Sequence, residues 1–184
     1  ISLISGTYPM TTTSNTPAAV IFGAERLTIE QVVALASRVA RPVLCADAGF
    51  RARIDRGAAF LDRLLAEEGQ IYGVTTGYGD SVTQVVPPEL VAELPLHLTR
   101  FHGCGLGEVL DLEAGRAVLA TRLCSLAQGV SVVSLPLLER LCWLLEQDLV
   151  PRIPQEGSVG ASGDLTPLSY VAAVLVGERE LYSQ

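Results

Sequence analysis

The chain reads Gly157-Ser158-Val159-Gly160-Ala161-Ser162-Gly163-Asp164-Leu165-Thr166-Pro167-Leu168 near its end, and this stretch decides how the rest is interpreted. Attack of the Gly163 nitrogen on the Ala161 carbonyl would close a five-membered ring over Ser162. Loss of water from the ring and from the Ser162 side chain would then leave a methylidene-imidazolone, an electron-poor alkene built from backbone. Glycine at 163 favours this closure, because a residue without Cβ lets its nitrogen approach a carbonyl two residues back.

The same stretch is also typical of a loop that leads into a helix. Ser162, Asp164 and Thr166 are residue types that cap helices, and Pro167 suits a first helical turn. A helix is therefore predicted over 166–176 with or without the ring chemistry. An isolated Ala-Ser-Gly would favour the plain loop, so the choice between the two depends on the length of the motif and on the rest of the chain.

Composition limits the class of protein. Of the 184 residues, 49% are hydrophobic and 17 more are glycine. No apolar run approaches the roughly 20 residues that span a bilayer, so we expect no membrane segment. A high apolar fraction without such a span predicts surface that is buried against other chains or against another part of the same polypeptide. No secretory signal is visible, which predicts a reducing, cytoplasmic location.

Charge and residue spacing argue against several kinds of ligand. The formal net charge is −7 and the arginines are scattered, whereas nucleic-acid binding needs a clustered basic face. The four cysteines lack the paired spacing of a metal site. His97 and His102 are five residues apart, not the four that align ligands on one helical face. The glycines of 73–79 match no nucleotide-binding fingerprint, so we expect no metal, no nucleotide and no nucleic acid.

Apolar periodicity predicts a mainly α-helical fold with a few short strands. Residues 1–20 are rich in Thr, Ser and Pro toward their end and are expected to form a disordered leader and tail. Residues 21–184 are expected to form one helical domain, which opens with a short extended segment over 22–27. The glycine-rich segments fall between predicted helices, where loops carry functional residues more often than helices do.

Capping residues and prolines set the predicted boundaries of the elements. Thr28 is predicted to cap a first helix that ends at Pro42, and Asp47 to open a second that stops at Gly69. β-Formers and glycines predict a strand that runs into a flexible loop over 71–80. Further predicted elements are helices over 87–102, 111–128 and 134–148, and an extended segment over 150–153.

Three stretches together resemble the aromatic amino-acid ammonia-lyase family, which includes histidine, phenylalanine and tyrosine ammonia-lyases and related aminomutases. They are the twelve residues of 157–168, the motif Tyr72-Gly73-Val74-Thr75-Thr76-Gly77-Tyr78-Gly79, and the segment 98–108. The resemblance implies the helical fold of the fumarase and aspartase superfamily, of which this chain would be the N-terminal domain. It also implies a methylidene-imidazolone cofactor formed from Ala161-Ser162-Gly163.

The resemblance implies that Tyr72 is the base that removes the β-proton of the substrate. A free phenol has a pKa of about 10 and is almost entirely protonated at neutral pH, so the site must favour the anion. The positive end of the helix that follows 157–168 is one candidate source of that potential. Gly73, Gly77 and Gly79 would let the surrounding loop act as a lid. The plain alternative is a half-buried tyrosine in a glycine-rich hairpin.

The resemblance also implies that Phe101 and His102 select the substrate, with Leu106 and Leu165 at the same pocket. Histidine lyases typically carry Ser-His at the paired position, phenylalanine lyases Phe-Leu, and many tyrosine lyases His-Leu. Phe-His fits none of these patterns. Phe101 offers an apolar wall to an aromatic ring, and His102 offers a hydrogen-bonding group. Thr75 stands where histidine lyases usually carry Asn, which tilts the prediction toward tyrosine or phenylalanine.

The implied reaction is non-oxidative removal of ammonia from an aromatic L-amino acid, which leaves an α,β-unsaturated acid. The self-formed electrophile would make the amine a better leaving group, and Tyr72 would take the β-proton. Three alternatives stay open: a histidine ammonia-lyase, an aromatic amino-acid 2,3-aminomutase that uses the same groups, and a catalytically inactive helical assembly module.

Family members are longer than this chain and share their sites between subunits of a homotetramer. The resemblance covers only their front part, from about residue 22 to residue 180. The C-terminal helical bundle of the family has no counterpart here, so the arginine that binds the substrate carboxylate cannot be assigned. We therefore expect the chain by itself to be inactive and expect its partners to be an aromatic amino acid and further copies of the protein.

Overall fold

The computed structural model describes residues 17–67, 69–160 and 164–183. Over these ranges the fold is mainly helical with short strands, as predicted. The α-helices are Ile29–Ala36 (α1), Ala48–Glu67 (α2), Leu94–His102 (α3), Leu112–Leu126 (α4), Leu135–Glu146 (α5) and Leu165–Leu175 (α6). The strands are Ala18–Phe22 (β1), Ala40–Leu44 (β2), Leu106–Val109 (β3), Val150–Pro151 (β4), Pro154–Glu156 (β5) and Leu181–Tyr182 (β6).

Three helices begin at the caps that the sequence predicts. Thr28 and Gln31 form a reciprocal capping box: the Thr28 hydroxyl accepts from the Gln31 N–H at 3.2 Å, and the Gln31 side chain accepts from the Thr28 N–H at 3.0 Å. Asp47 accepts from the Phe50 N–H at 3.0 Å, and Asp111 accepts from the Ala114 N–H at 2.8 Å. These side chains satisfy backbone donors that a helix start leaves unpaired.

The N-terminal part of the fold differs from the prediction. Strand β1 begins at Ala18, inside the range expected for the disordered tail, and pairs in parallel with β2 from Ala18 opposite Ala40 to Phe22 opposite Leu44. Helix α1 ends at Ala36, not at Pro42, because the residues after Val39 are the second strand of this pair. Residues 1–16, the rest of the predicted leader, lie outside the described ranges.

Of the predicted strand and loop over 71–80, the strand is wrong, because hydroxyl side chains turn the backbone there. The Thr75 hydroxyl accepts from the Ile71 N–H at 2.7 Å and donates to the Gly69 carbonyl at 3.2 Å. The chain then forms a 3₁₀ helix over Gly79–Thr83. Such local side-chain hydrogen bonds compete with strand pairing.

The predicted helix over 87–102 is shorter than expected. A single 3₁₀ turn at Pro88–Leu90 comes first, and α3 begins only at Leu94. Pro95 therefore lies in the first turn of α3, where its missing N–H costs nothing, and it does not kink the helix.

The core lies where α4 and α5 pack against α1, β2 and β4. Its fully buried side chains include Leu119, Leu123, Leu138 and Leu141. Helix α3 packs on α6 beside this core, so α6 connects the core to the predicted site. None of the described helices is both long and apolar enough to cross a membrane.

Candidate active site

An open cleft of about 410 Å³ lies between the glycine-rich loop, the end of α3 and the start of α6. Five of its lining residues are predicted site residues: Gly77, Gly79, Phe101, His102 and Leu165. They come from three separate motifs of the sequence. The fold therefore brings together the glycine-rich loop, Phe101-His102 and the first residue of the helix that follows Ala161-Ser162-Gly163.

Close packing in the loop requires glycine at two positions. A Cβ on Gly77 would lie 2.6 Å from the Ser81 carbonyl oxygen, which real structures do not allow. Gly73 has a φ of +70°, and a Cβ there would lie 2.9 Å from the Tyr78 ring. The loop thus folds tightly on itself, and the Gly77 N–H donates to the Gln84 carbonyl at 3.0 Å.

Tyr72 lies at the edge of the cleft and is not among its lining residues. Its side chain is 62% exposed, and its hydroxyl oxygen accepts a hydrogen bond from the Gly79 N–H at 3.0 Å. Gly79 does line the cleft, so this bond ties the predicted base to the cleft wall.

Tyr78 also lines the cleft, although the sequence did not predict it as a site residue. Its ring meets the edge of the Tyr72 ring with centroids 6.3 Å apart. Burial, and secondarily the nearby Tyr72, raises the pKa of Tyr78 above its usual value, so this phenol stays protonated at neutral pH. Tyr78 belongs to the same motif as Tyr72, and a second tyrosine in that motif was the available signal.

Phe101 and His102 occupy different environments. Phe101 is 77% exposed at the cleft, whereas His102 is half-buried. Their rings meet edge to face with centroids 5.1 Å apart. His102 and Leu165 also line a second, smaller cavity of about 200 Å³ between α3, α4 and α6.

Arg122 of α4 lines the smaller cavity, although no sequence motif predicted it there. Burial lowers the pKa of its guanidinium. Because the helical pattern of α4 predicts only which face is apolar, it gave no signal that Arg122 would reach the end of α3.

Leu106 is not among the lining residues of either cavity. It is 71% exposed on β3, opposite Glu156. Its assignment to the substrate pocket stays a prediction.

Ala161, Ser162 and Gly163 lie outside the described residues, but the residues on both sides are described. Gly160 has a φ of +62° and Asp164 a φ of +27°. Glycine adopts a positive φ freely, whereas a positive φ at Asp164, a non-glycine residue, is strained. The strain therefore lies at the residue that follows Gly163 in sequence.

Asp164 stands at the N-cap position of α6 without making the predicted cap. Its side chain forms no capping hydrogen bond, and its Oδ1 is buried with no hydrogen-bond partner in the described part of the chain. Thr166 makes no cap either, because it lies inside α6.

Within 17–67, 69–160 and 164–183, no group of three or more His, Cys, Asp or Glu side chains is arranged to hold a metal ion.

Comparisons of sequence and of structure with known proteins point to the same family. The aromatic amino acid lyase family matches residues 27–184. The histidine ammonia-lyase of Chloroflexus aurantiacus is 41% identical over 163 residues, which are 88% of this chain and 31% of that enzyme. The chain thus spans about a third of the length of the curated relatives that it matches.

Solved structures of the family share this fold. The tyrosine aminomutase of Streptomyces globisporus superposes with a TM-score of 0.82 at 36% identity, over 92% of this chain and 31% of that one. The histidine ammonia-lyase of Trypanosoma cruzi superposes with a TM-score of 0.77 at 31% identity, over 90% of this chain and 31% of that one. By sequence and by fold, the chain belongs to the aromatic amino acid lyase family.

Proposed function

We propose that this chain provides the electrophile-forming part of an ammonia-lyase site. The reaction is non-oxidative loss of ammonia from an aromatic L-amino acid, with tyrosine or phenylalanine preferred as substrate. The observation that supports it is the 410 Å³ cleft, which joins the glycine loop, Phe101-His102 and Leu165, two residues after Gly163 in sequence. The family membership supports the reaction class.

Ala161, Ser162 and Gly163 are the residues that form the cofactor in this proposal. The strained φ of Asp164, the residue directly after Gly163, supports a closed ring at these three residues. The methylidene-imidazolone supplies an electrophile that turns the substrate amine into a better leaving group.

Tyr72 removes the β-proton in this proposal. Its hydroxyl oxygen is held by the Gly79 N–H, so the base moves with the loop that lines the cleft. Closure of that loop excludes water and brings the hydroxyl toward the substrate. Such a movement is part of this proposal, because the Tyr72 side chain is largely exposed in this chain.

Phe101 and His102 recognise the substrate ring. The exposed face of Phe101 packs on the ring, as aromatic pairs prefer at 4.5–7 Å between centroids. His102 lies between the two cavities and offers a hydrogen bond to a polar ring substituent. A phenol hydroxyl satisfies this group, which favours tyrosine over phenylalanine.

Histidine is the second candidate substrate, and a specific observation favours it. The Chloroflexus aurantiacus relative at 41% identity is a histidine ammonia-lyase, and His102 is able to hydrogen-bond an imidazole as well as a phenol. An aminomutase is the third candidate, because the Streptomyces globisporus neighbour at 36% identity is a tyrosine aminomutase. The homotetrameric assembly and the cytoplasmic location stay predictions.

Intact-mass measurement of the purified chain tests the cofactor directly. We expect the wild-type mass to be lower than the sequence mass by two waters, because ring closure and dehydration each release one. The Ser162→Ala variant should keep the second water, since alanine has no hydroxyl to lose, and Ser158→Ala in the same loop should behave as wild type. A wild-type mass equal to that of the sequence would reject cofactor formation in this chain.

Activity is tested in a chimera that carries this chain in front of the remaining two-thirds of the Chloroflexus aurantiacus enzyme. Ammonia release is measured with tyrosine, phenylalanine and histidine, and the products are analysed for β-amino acids. We expect Tyr72→Phe to keep the mass loss but to abolish most turnover, by about 10²-fold or more. Unchanged turnover in Tyr72→Phe would exclude this tyrosine as the base, and β-amino acid products would identify an aminomutase.

A further inference from the structure

Two contacts join the segment after α6 to the C-terminal end of α3, one just before and one just after Phe101-His102 in sequence. Arg100 precedes this pair, and its guanidinium donates three hydrogen bonds to the Glu178 carboxylate: from Nε to Oε2 at 2.9 Å, from Nε to Oε1 at 3.2 Å, and from Nη2 to Oε1. Gly103 follows the pair, and its carbonyl accepts from Nη2 of Arg179 at 2.8 Å. Two consecutive residues after α6 therefore hold the two neighbours of the selectivity pair.

Glu178 and Arg179 are themselves fixed by the way α6 ends. Gly177 has a φ of +78°, its N–H donates to the Val174 carbonyl at 3.1 Å, and the Glu178 N–H donates to the Ala173 carbonyl at 2.9 Å. This pattern is a Schellman turn, which favours glycine at its left-handed position. Because Ala173 is buried, the backbone that carries both side chains is anchored in the body of α6.

Both contacts with α3 are directional. An arginine fork on a carboxylate makes two parallel hydrogen bonds and so fixes an orientation as well as a distance. This hydrogen bonding lowers the pKa of Glu178, so the carboxylate is ionised at neutral pH. Arg179 is held in turn by the face of the buried Tyr170 ring, with its guanidinium carbon 5.0 Å from the ring centroid.

We propose that Arg100, Glu178 and Arg179 form a clamp that sets the orientation of Phe101-His102 at the cleft. They are positioning residues, since none of them lines the 410 Å³ cleft. Helix α3 ends at His102, where a helix would fray without outside contacts. A rotation of this last turn would move His102 out of the wall that the two cavities share. The clamp's effect on ring selectivity rests on the proposed function, whereas its effect on His102 geometry does not.

Nuclear magnetic resonance of the histidine side chains tests the clamp in the 184-residue chain. The chain has two histidines, and a His97→Gln variant assigns their signals. Glu178→Gln removes the charge at nearly the same side-chain volume. We expect it to shift or broaden the His102 imidazole signal by more than its line width and to leave His97, one turn earlier on α3, unchanged.

Glu180→Gln is the matched control. Glu180 also pairs with an arginine, Arg152, at 3.2 Å, but this pair makes no hydrogen bond to α3 in the described part of the chain. We expect no change in the His102 signal. Far-UV circular dichroism of both variants checks that the helices are intact.

Charge reversal separates positioning from general stabilisation. Arg100→Glu should alter the His102 signal, because it places two carboxylates together, and adding Glu178→Arg should restore the signal toward wild type. An unaltered His102 signal in Glu178→Gln, or an equal change in Glu180→Gln, would overturn the clamp. The test uses neither substrate nor turnover, so its failure leaves the proposed function standing and a failed activity assay leaves the clamp standing.

Discussion

Removing the charge of Asp148 should destabilise the fold more than any change to a surface ion pair. Asp148 and Arg116 are each only 5% exposed, and Nε of Arg116 donates to Oδ1 of Asp148. Nη1 of Arg116 also donates to the Ala36 carbonyl at 3.0 Å. Arg116 thereby joins α4 to the end of α1 and to the turn after α5.

Asparagine is the informative replacement. Asp148 has a φ of +56°, a left-handed conformation that asparagine tolerates better than alanine. Asp148→Asn therefore removes the charge while it keeps the size, the carbonyl acceptor and the backbone. Breaking a buried ion pair from one side costs about 3–5 kcal/mol. Because Arg116 keeps its bond to Ala36, we expect a loss at the lower end, about 3 kcal/mol.

Urea denaturation followed by far-UV circular dichroism measures this loss. The midpoint should fall with an unchanged slope, since the native contacts elsewhere persist. In a protein of this size, about 3 kcal/mol corresponds to a fall in Tm of about 6–12 °C. The control is Glu180→Gln in the exposed pair with Arg152, which should cost less than about 1 kcal/mol. A loss below about 1 kcal/mol for Asp148→Asn would refute the inference that the buried Arg116–Asp148 pair stabilises the fold.

The pH dependence gives an independent check with a defined sign. The hydrogen bond from Arg116 lowers the pKa of Asp148 below its usual 3.8. The unfolded chain therefore binds a proton at this group at a higher pH than the folded chain does, so stability rises with pH in that interval. The contribution of the ionised Asp148 to stability is complete above the pKa of this group in the unfolded chain. It is lost as pH falls through the lower pKa of the group in the folded chain. The stability difference between wild type and Asp148→Asn should be constant near neutrality and should shrink below about pH 4.

Two further changes test the packing and the thiols. Gly115→Ala on α4 should lower the free energy of unfolding by about 1–2 kcal/mol in the same urea assay. The reason is that the new Cβ would lie 2.4 Å from a Val150 methyl. An increase in stability would contradict this packing. Burial, and secondarily Glu146, raises the pKa of the Cys142 thiol to about 11. Alkylation at pH 8 should therefore modify the exposed Cys104 first and Cys142 only after unfolding. Peptide mass mapping would show the order of modification.

The parts of the fold that the sequence predicted well are those decided by local chemistry. The capping box at Thr28 and the cap at Asp111 involve residues within three positions of each other, and such contacts can be read from spacing. Strand β1 is different, because it exists only through its pairing with β2, across the whole of α1. Its five residues carry no turn or cap that would distinguish them from a tail.

The same division explains what could be predicted of the site. Gly77, Gly79, Phe101-His102 and Leu165 were each recognisable from a motif, and the fold places them around one cleft, whereas Gly73 does not line it. Arg122 belongs to no motif and reaches the smaller cavity only because α4 packs beside α3 and α6. The clamp from Glu178 to Arg100 joins residues 78 positions apart. Motifs therefore predict which residues line the cleft, whereas contacts such as that between Glu178 and Arg100 emerge only from the packing of α3 against α6.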